Sequence, residues 1–348
     1  MAKKIIALAG QPNCGKSTVF NSLTGAKQFV ANYPGVTVDK MMGWYKRNGE
    51  DVEVIDLPGT YSLTSYSPEE RVTRDVLLHE PLSAVVNVMD AANLKRSLYL
   101  TLQLLEMEIP LILDLNMMDV AEKLGVSIDV QGLSEELGAP AVTTAITQGR
   151  GREELLQAVA DMSRSNGRTS LAASELYPDL KDALNDLASL LAHEKKLKGD
   201  FPVSWIAVKL MEGDPAVAAL VRAQAEENEA VLARAEEWRA QFEREKGVGA
   251  DVYVSGQRSR KAASIARRFA TKKASAKAPI SERIDRAVCN KFFGPVFLLF
   301  VVYGFYYLSF VQGYNLTHYT WPVLAGVRSF AERILPPPGL IELRLLRA

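Results

Sequence analysis

A lysine and a serine closing a glycine-flanked loop are the most explicit chemistry in the chain: Gly10-Gln11-Pro12-Asn13-Cys14-Gly15-Lys16-Ser17 fits the pattern GxxxxGK[ST]. Such a loop wraps a polyphosphate. Its glycines let the backbone close in, and its amides and the following helix N-terminus supply partial positive charge. Lys16 is spaced to reach the β- and γ-phosphates, and the Ser17 hydroxyl to ligate Mg²⁺. Gly10 through Ser17, with Thr18 opening the helix, are the first set of nucleotide-binding candidates.

Three further stretches supply what a phosphate loop lacks. Asp56-Leu57-Pro58-Gly59 follows an apolar run, so Asp56 at a strand end is suited to hold Mg²⁺ through water. Gly59 lets its amide approach the γ-phosphate. Between the two lies Asn32-Tyr33-Pro34-Gly35-Val36-Thr37-Val38-Asp39, a turn in which Thr37 can close on Mg²⁺ and the γ-phosphate, with Gly35 and Val36 beside it. Asn116-Met117-Met118-Asp119 reads as NxxD. A carboxylate accepts two hydrogen bonds from the paired N–H groups of guanine, which adenine does not offer, so Asp119 selects GTP over ATP. The loop that backs the base falls at Thr144-Ala145 or at Ala145-Ile146.

Thr60 stands where many Ras-like GTPases carry a water-positioning glutamine, and threonine cannot do that work. Phosphoryl transfer needs positioning and charge neutralisation above all. Asn13 is therefore expected to hold K⁺ against the phosphates in the manner of an arginine finger. The catalytic set is Asn13, Lys16, Thr37 and Gly59, with Ser17, Thr37 and Asp56 on Mg²⁺.

These residues need a scaffold that brings strand ends together. Apolar runs at 4–9, 52–57, 84–89, 111–115 and 139–143 alternate with helical patterns, which predicts a mostly parallel sheet with ligands at its carboxyl edge. Ser67-Pro68-Glu69-Glu70 predicts a capping box that opens a helix running towards Leu78. The expected fold is an α/β P-loop GTPase (Ras-like), then an all-α helical domain, then one transmembrane helix.

Composition agrees with an ordinary globular chain: 348 residues, 48% hydrophobic, 24% charged, formal charge zero. Nothing biases it globally towards nucleic acid. Cys14 and Cys289 are too few and too far apart for a disulfide scaffold or zinc site, which suits a reducing compartment. The N-terminus enters the first strand with no secretory apolar region, and His79, His193 and His318 are scattered.

Beyond the linker 163–168 the pattern is helical. Asp214 is an N-cap, Pro215 the first helical residue, and a charged helix runs from Ala216 to Lys246 with Gly247 as its stop. Residues 258–277 carry eight basic and no acidic side chains. Phe292–Val311 then gives about 20 uncharged residues, enough to span a bilayer, with the basic flank marking the cytoplasmic side. Residues after Val311 offer no convincing second span.

Together, GQPNCGKSTVFNSLTG (10–25), NYPGVTVD (32–39), DLPGTYSLTSYSPEE (56–70), NMMD (116–119), GRG (149–151), WIAVKLMEGDP (205–215) and SERIDR (281–286) resemble the FeoB family of bacterial ferrous iron transporters. The last two are the discriminating ones, because other small GTPases have no reason to carry them. The resemblance implies a GTPase domain (1–165), a helical domain that slows GDP release (168–272), a basic linker (273–291), a membrane helix (292–311) and a remnant of the permease (312–348). It implies a slow, K⁺-stimulated GTPase that gates Fe²⁺ uptake at the bacterial inner membrane, its N-terminal domains in the cytoplasm. GTP/GDP, Mg²⁺ and K⁺ are the implied cofactors. FeoA-like small proteins and further copies of the chain are the implied partners, with no nucleic acid. Family members continue through several more membrane helices, so a shortened chain or a pore supplied by another polypeptide is expected. Two competing readings are a soluble RNA- or ribosome-associated GTPase using the basic run, and a regulatory fragment that transports nothing.

Overall fold

Parallel strands buried on both faces must read as near-continuous apolar runs, and the runs found above become the centre of a seven-stranded sheet. The computed structural model describes residues 4–25, 28–32, 38–47, 49–64, 67–165, 173–193, 202–224, 229–272, 284 and 288–334. They fall into two units, Met1–Ala276 and Lys277–Ala348.

In the first unit, the parallel strands are β1 (Lys4–Gly10), β4 (Glu50–Asp56), β5 (Ala84–Asp90), β6 (Leu111–Asn116) and β8 (Ala141–Thr143). An antiparallel hairpin, β2 (Gln28–Asn32) and β3 (Asp39–Arg47), extends one edge, giving the order β2-β3-β4-β1-β5-β6-β8. That hairpin is absent from the sequence-based expectation. Its second strand is only partly buried and carries Gly43 and polar residues at both ends, so it lacks an apolar run. The helices on the sheet are α1 (Lys16–Thr24), α2 (Pro68–His79), α3 (Leu94–Glu106), α4 (Met118–Lys123), α5 (Val130–Leu137) and α6 (Arg152–Ser165).

The capping box forms as its residues dictate. The Glu70 amide donates to Ser67 Oγ at 3.1 Å, and the Glu70 carboxylate reaches back to the Ser67 amide. Glu70 also accepts from the hydroxyls of Ser62 and Thr64, so one carboxylate ties the loop after Gly59 to the first turn of α2.

The helical portion comprises α7 (Ala173–Leu176), α8 (Lys181–His193), α9 (Val203–Met211), α10 (Pro215–Gln224), α11 (Glu229–Lys246) and α12 (Ala250–Phe269). The single helix expected from Ala216 to Lys246 is therefore two elements, with 225–228 outside the described residues. Asp214 caps α10 through the amides of Ala216 and Val217. A short antiparallel pair, β7 (Val126–Ile128) with β9 (Ala270–Lys272), fastens the end of α12 to the nucleotide half.

Apolar side chains of α2, α3 and one sheet face share a continuous core with Tyr177, Leu187, Trp205, Val208, Val254 and Ile265. The opposite face packs Ile6, Leu8, Val54, Val86, Val88 and Ile112 against α1 and α6.

The basic run is solvated only in part: Arg260, Arg267, Arg268 and Lys272 are exposed, but its first member is not. Arg258, its first member, is completely buried and clamps the Glu106 carboxylate at 2.8 and 2.7 Å while also bonding Glu212. Lys209 bonds the other Glu212 oxygen, and Tyr177 donates to Glu106. Against the cost of burial, the Arg258 and Lys209 charges hold Glu212 at about 2. Lys261 and Arg268 both pair with Glu136. Residues 273–277, and most of the expected linker 273–291, lie outside the described residues.

In the second unit, α13 (Phe293–Tyr306) continues through a wider π-type turn at Tyr307–Gln312 into α14 (Gly313–Ile334). The expected span 292–311 thus stops inside a longer helical run. Phe293–Phe330, 38 residues, is long and apolar enough to cross a membrane, and none of its residues is buried. The sequence breaks the apolar pattern at Gln312 and Asn315, but polar side chains at a helical spacing do not end a helix.

Replacing Arg258 with methionine strands Glu106 in an apolar interior. The expected loss is about 3–5 kcal/mol, read as a lowered urea midpoint of the purified chain. An unchanged midpoint would remove the ion cluster from the account of how the two halves adhere.

Candidate functional site

The phosphate loop leaves β1 at Gly10 and enters α1 at Lys16, and its backbone has the unusual geometry that its glycines permit. Asn13 and Gly15 both take left-handed conformations, φ 66° and 87°. A Cβ on Gly15 would lie 2.3 Å from Asn116 Nδ2, and one on Gly10 would lie 2.6 Å from the Val88 carbonyl. Both positions therefore require glycine for closeness, and Gly15 requires it for φ as well. Asn13, Ser17 and Thr18 are exposed at the loop and the first turn of α1, while Cys14 and Lys16 are buried.

Asp56 ends β4, beside the loop. Lys16 Nζ meets Asp56 Oδ1 at 2.5 Å with both side chains nearly buried. Burial raises the Asp56 carboxyl above its ordinary range, and the lysine pulls it the other way. A Cβ on Gly59 would approach the Pro12 nitrogen to 3.2 Å, so the fourth residue of DLPG lies against the phosphate loop itself. The Thr60 amide donates to the Gly10 carbonyl at 3.2 Å, and its hydroxyl donates to Ser62 at 2.6 Å. Thr60 is buried and fully engaged, so its side chain is not poised to orient a water.

The next pair of loops meets at the ends of β6 and β8. Asn116 Nδ2 donates to the Cys14 carbonyl at 3.0 Å, which locks NMMD to the phosphate loop. Met117 is left-handed, φ 62°, and turns the chain into α4. Asp119, largely buried, accepts from Gln148 Nε2 at 3.1 Å. Thr144 is buried and bridges the loops: its carbonyl accepts from the Met118 amide and its hydroxyl lies 3.0 Å from Asn116 Oδ1. Ala145 follows, buried and paired with Arg150, and Ile146 opens a short helical turn.

The structure thus brings Gly10 through Thr18 together with Asp56, Leu57, Pro58 and Gly59, and joins them through Asn116 to Met117, Asp119, Thr144 and Ala145. Gly35, Val36 and Thr37 lie outside the described residues. Three participants escaped the sequence reading. Gln148 bonds Asp119 from within a loop of no distinctive pattern. Arg74 reaches Asp214 at 3.1 Å, linking α2 to the helical portion. Asp114, in the run Leu111-Ile112-Leu113-Asp114-Leu115-Asn116, is fully buried. A lone carboxylate inside an apolar strand was the available signal.

A parallel sheet with this loop at its carboxyl edge, DxxG beside it and NxxD at the next strand end, defines a P-loop GTPase domain, here followed by a helical domain. The family described as "Ferrous iron transport protein B" matches residues 4–159, and "FeoB cytosolic helical domain" matches 177–271. "Fe(2+) transporter FeoB" of Shigella flexneri is 35% identical over 316 residues, covering 89% of this chain and 39% of that protein. The cytosolic domain of the T. maritima FeoB iron transporter, solved in a GDP form, is 31% identical with a TM-score of 0.67, covering 78% of this chain and 99% of that one. Its GMPPNP form is 30% identical with a TM-score of 0.66, covering 77% and 100%. The chain belongs to the FeoB family. It spans about 39% of the length of the curated relatives it matches.

Burial pushes the Cys14 thiol up to about 11, the neighbouring Lys16 opposing it, while Cys289 is exposed. A maleimide reagent near neutral pH is therefore expected to label Cys289 quickly and Cys14 only after unfolding. Rapid labelling of two thiols in the native protein would contradict the packed loop described here.

Proposed function

We propose that residues 1–165 bind GTP and GDP with Mg²⁺ and hydrolyse GTP slowly, stimulated by K⁺. In this reading, residues 168–272 regulate the nucleotide cycle and the apolar run from Phe292 anchors the protein in the bacterial inner membrane, its N-terminal domains in the cytoplasm. The activity served is Fe²⁺ uptake, with Fe²⁺ as cargo of the complete transporter. Small FeoA-like proteins and further copies of the chain are the partners it expects.

One observation carries the nucleotide reading: Lys16, Asp56 and Asn116, from three separate segments, converge on a single phosphate loop. The T. maritima relative was solved in GDP and GMPPNP forms, which supports the same ligand class. Lys16 and Asp56 neutralise each other here. On nucleotide binding the lysine would turn to the phosphates and the carboxylate to the metal site.

Ser17, exposed at the helix start, together with Asp56 and Thr37, would hold Mg²⁺. When bound, Mg²⁺ neutralises charge developing on the phosphate oxygens. Asn13, exposed in its left-handed turn, would hold a monovalent cation, and K⁺ there would supply positive charge to the β- and γ-phosphates. The engagement of Thr60 supports a route to hydrolysis that needs no glutamine. The Gly59 amide, close to Pro12, would donate to the γ-phosphate.

The iron reading rests on the family and on the long apolar helix. Of the basic run that the RNA reading would use, Arg258 is buried and Lys261 and Arg268 pair with Glu136, while Arg260, Arg267 and Lys272 stay exposed.

GTP and ATP binding, with hydrolysis compared in K⁺ and Na⁺, tests the first part. GTP is expected to bind in preference to ATP, Asp119→Ala to weaken GTP binding by about tenfold or more, and K⁺ to accelerate hydrolysis relative to Na⁺. Equal affinity for ATP would overturn the guanine assignment, and equal rates in the two salts the role given to Asn13.

A further inference from the structure

Asp114 is a carboxylic acid with no surface exposure, set in the middle of a parallel sheet. Its lateral neighbours in register are Val88 on β5 and Val142 on β8. It shares a sheet face with Ile112, where α1 and α6 pack Val19, Phe20, Leu155, Leu156 and Val159. One carboxyl oxygen, Oδ1, lies 2.6 Å from Thr144 Oγ1. The other, Oδ2, has no hydrogen-bond partner.

Counting protons decides the state of this group. Asn116 Nδ2 donates to the Cys14 carbonyl, so the amide oxygen Oδ1 is the atom that faces Thr144, at 3.0 Å. Thr144 Oγ1 therefore has two oxygen neighbours, Asp114 Oδ1 and Asn116 Oδ1, and a hydroxyl owns one proton. With Asp114 ionised, both neighbours only accept, and one contact goes unsatisfied. With Asp114 protonated, the carboxyl donates to Thr144 and Thr144 donates to Asn116, so every contact is satisfied. The bare Oδ2 is then the carbonyl oxygen of a neutral acid rather than half of a buried charge, which is much the cheaper state.

We propose that the protonated Asp114 carboxyl is a positioning residue for guanine-nucleotide retention, completing a relay through Thr144 and Asn116 to the Cys14 carbonyl that holds both base-binding loops on the phosphate loop. The proposal rests on the guanine-nucleotide reading above. Above neutral pH the carboxyl releases its proton to solvent, the carboxylate accepts the Thr144 O–H hydrogen bond instead, Asn116 Oδ1 loses its donor, and the loops slacken.

Burial puts the Asp114 carboxyl at about 7, with the Thr144 bond opposing it. The groups facing it do not titrate in that range. From the phosphate loop comes the Cys14 thiol, held up at about 11, and from the other elements Thr144, Asn116 and apolar side chains. Lys16 is turned to Asp56. Because the folded value lies above the ordinary 3.8, stability from this group is complete below about 3.8 and lost as pH rises to about 7.

The test uses the full chain in detergent and fluorescent GDP, with dissociation rates measured between about pH 6 and about pH 8.5. Wild type is expected to release GDP about three- to tenfold faster at the upper end. Asp114→Asn, whose amide donates to Thr144 at every pH, is expected to stay slow throughout. Thr144→Val is expected to be fast throughout. A flat wild-type profile, or a rise in Asp114→Asn equal to wild type, would overturn the relay.

Two further readouts separate the possibilities. An infrared band of a protonated carboxyl in nucleotide-free protein, lost towards pH 8 and absent in Asp114→Asn, speaks for the relay alone. Its absence near pH 6 refutes the relay whatever the ligand. Competition of GDP against ADP tests the guanine reading alone.

Discussion

One hydrogen bond joins the phosphate grip to the base grip: the Asn116 amide donates to the Cys14 carbonyl across a gap that residue 15 leaves open because it has no side chain. Two loops about a hundred residues apart in sequence are held at that point within van der Waals contact. The left-handed turns at Asn13 and Gly15 exist to present the Cys14 carbonyl there, and the buried thiol fills the space behind it. A buried backbone carbonyl needs a donor, and the neighbouring strand supplies one.

The same economy governs the joint between the nucleotide half and the helices. Glu106 ends α3, and Arg258 and Glu212 belong to the helical portion, yet the three meet in the interior, with only Glu212 partly exposed. Lys209 and Tyr177 complete the set, so charges balance and the carboxylate oxygens have donors. Such a cluster adds little net stability compared with an apolar joint of similar volume. It punishes any displacement of α12 from α3, because each displaced group would be a buried charge without a partner. Arg74 with Asp214 does the same for α2, which follows directly on the loop that Glu70 organises. The loop after Gly59, α2 and the helical portion are thereby tied in one chain of contacts.

The strand–loop–helix around Lys16, the DLPG turn and the position of NMMD were readable because each is a local pattern with a local reason. Glycine spacing, a strand end and a turn residue can be read from a few neighbours. The capping box at Ser67 belongs to the same class. The hairpin β2–β3 was not readable, since an edge strand needs no strong apolar alternation. Nor was the end of the apolar helix, where Gln312 and Asn315 interrupt composition while the helical run continues through a π-type turn.

Residue types and spacing alone determined the phosphate loop, the NxxD turn after the next strand, the family and the apolar run near the C-terminus. Only the tertiary structure decided that Arg258, first of a basic series, lies in the interior against a glutamate 152 positions away. It alone showed that Thr60 is consumed by the loop and that Asp114 has one partner for two oxygens. A motif is set by chain neighbours, whereas the dielectric around a charge and the partner for a proton are set by whatever distant segment folding brings against it.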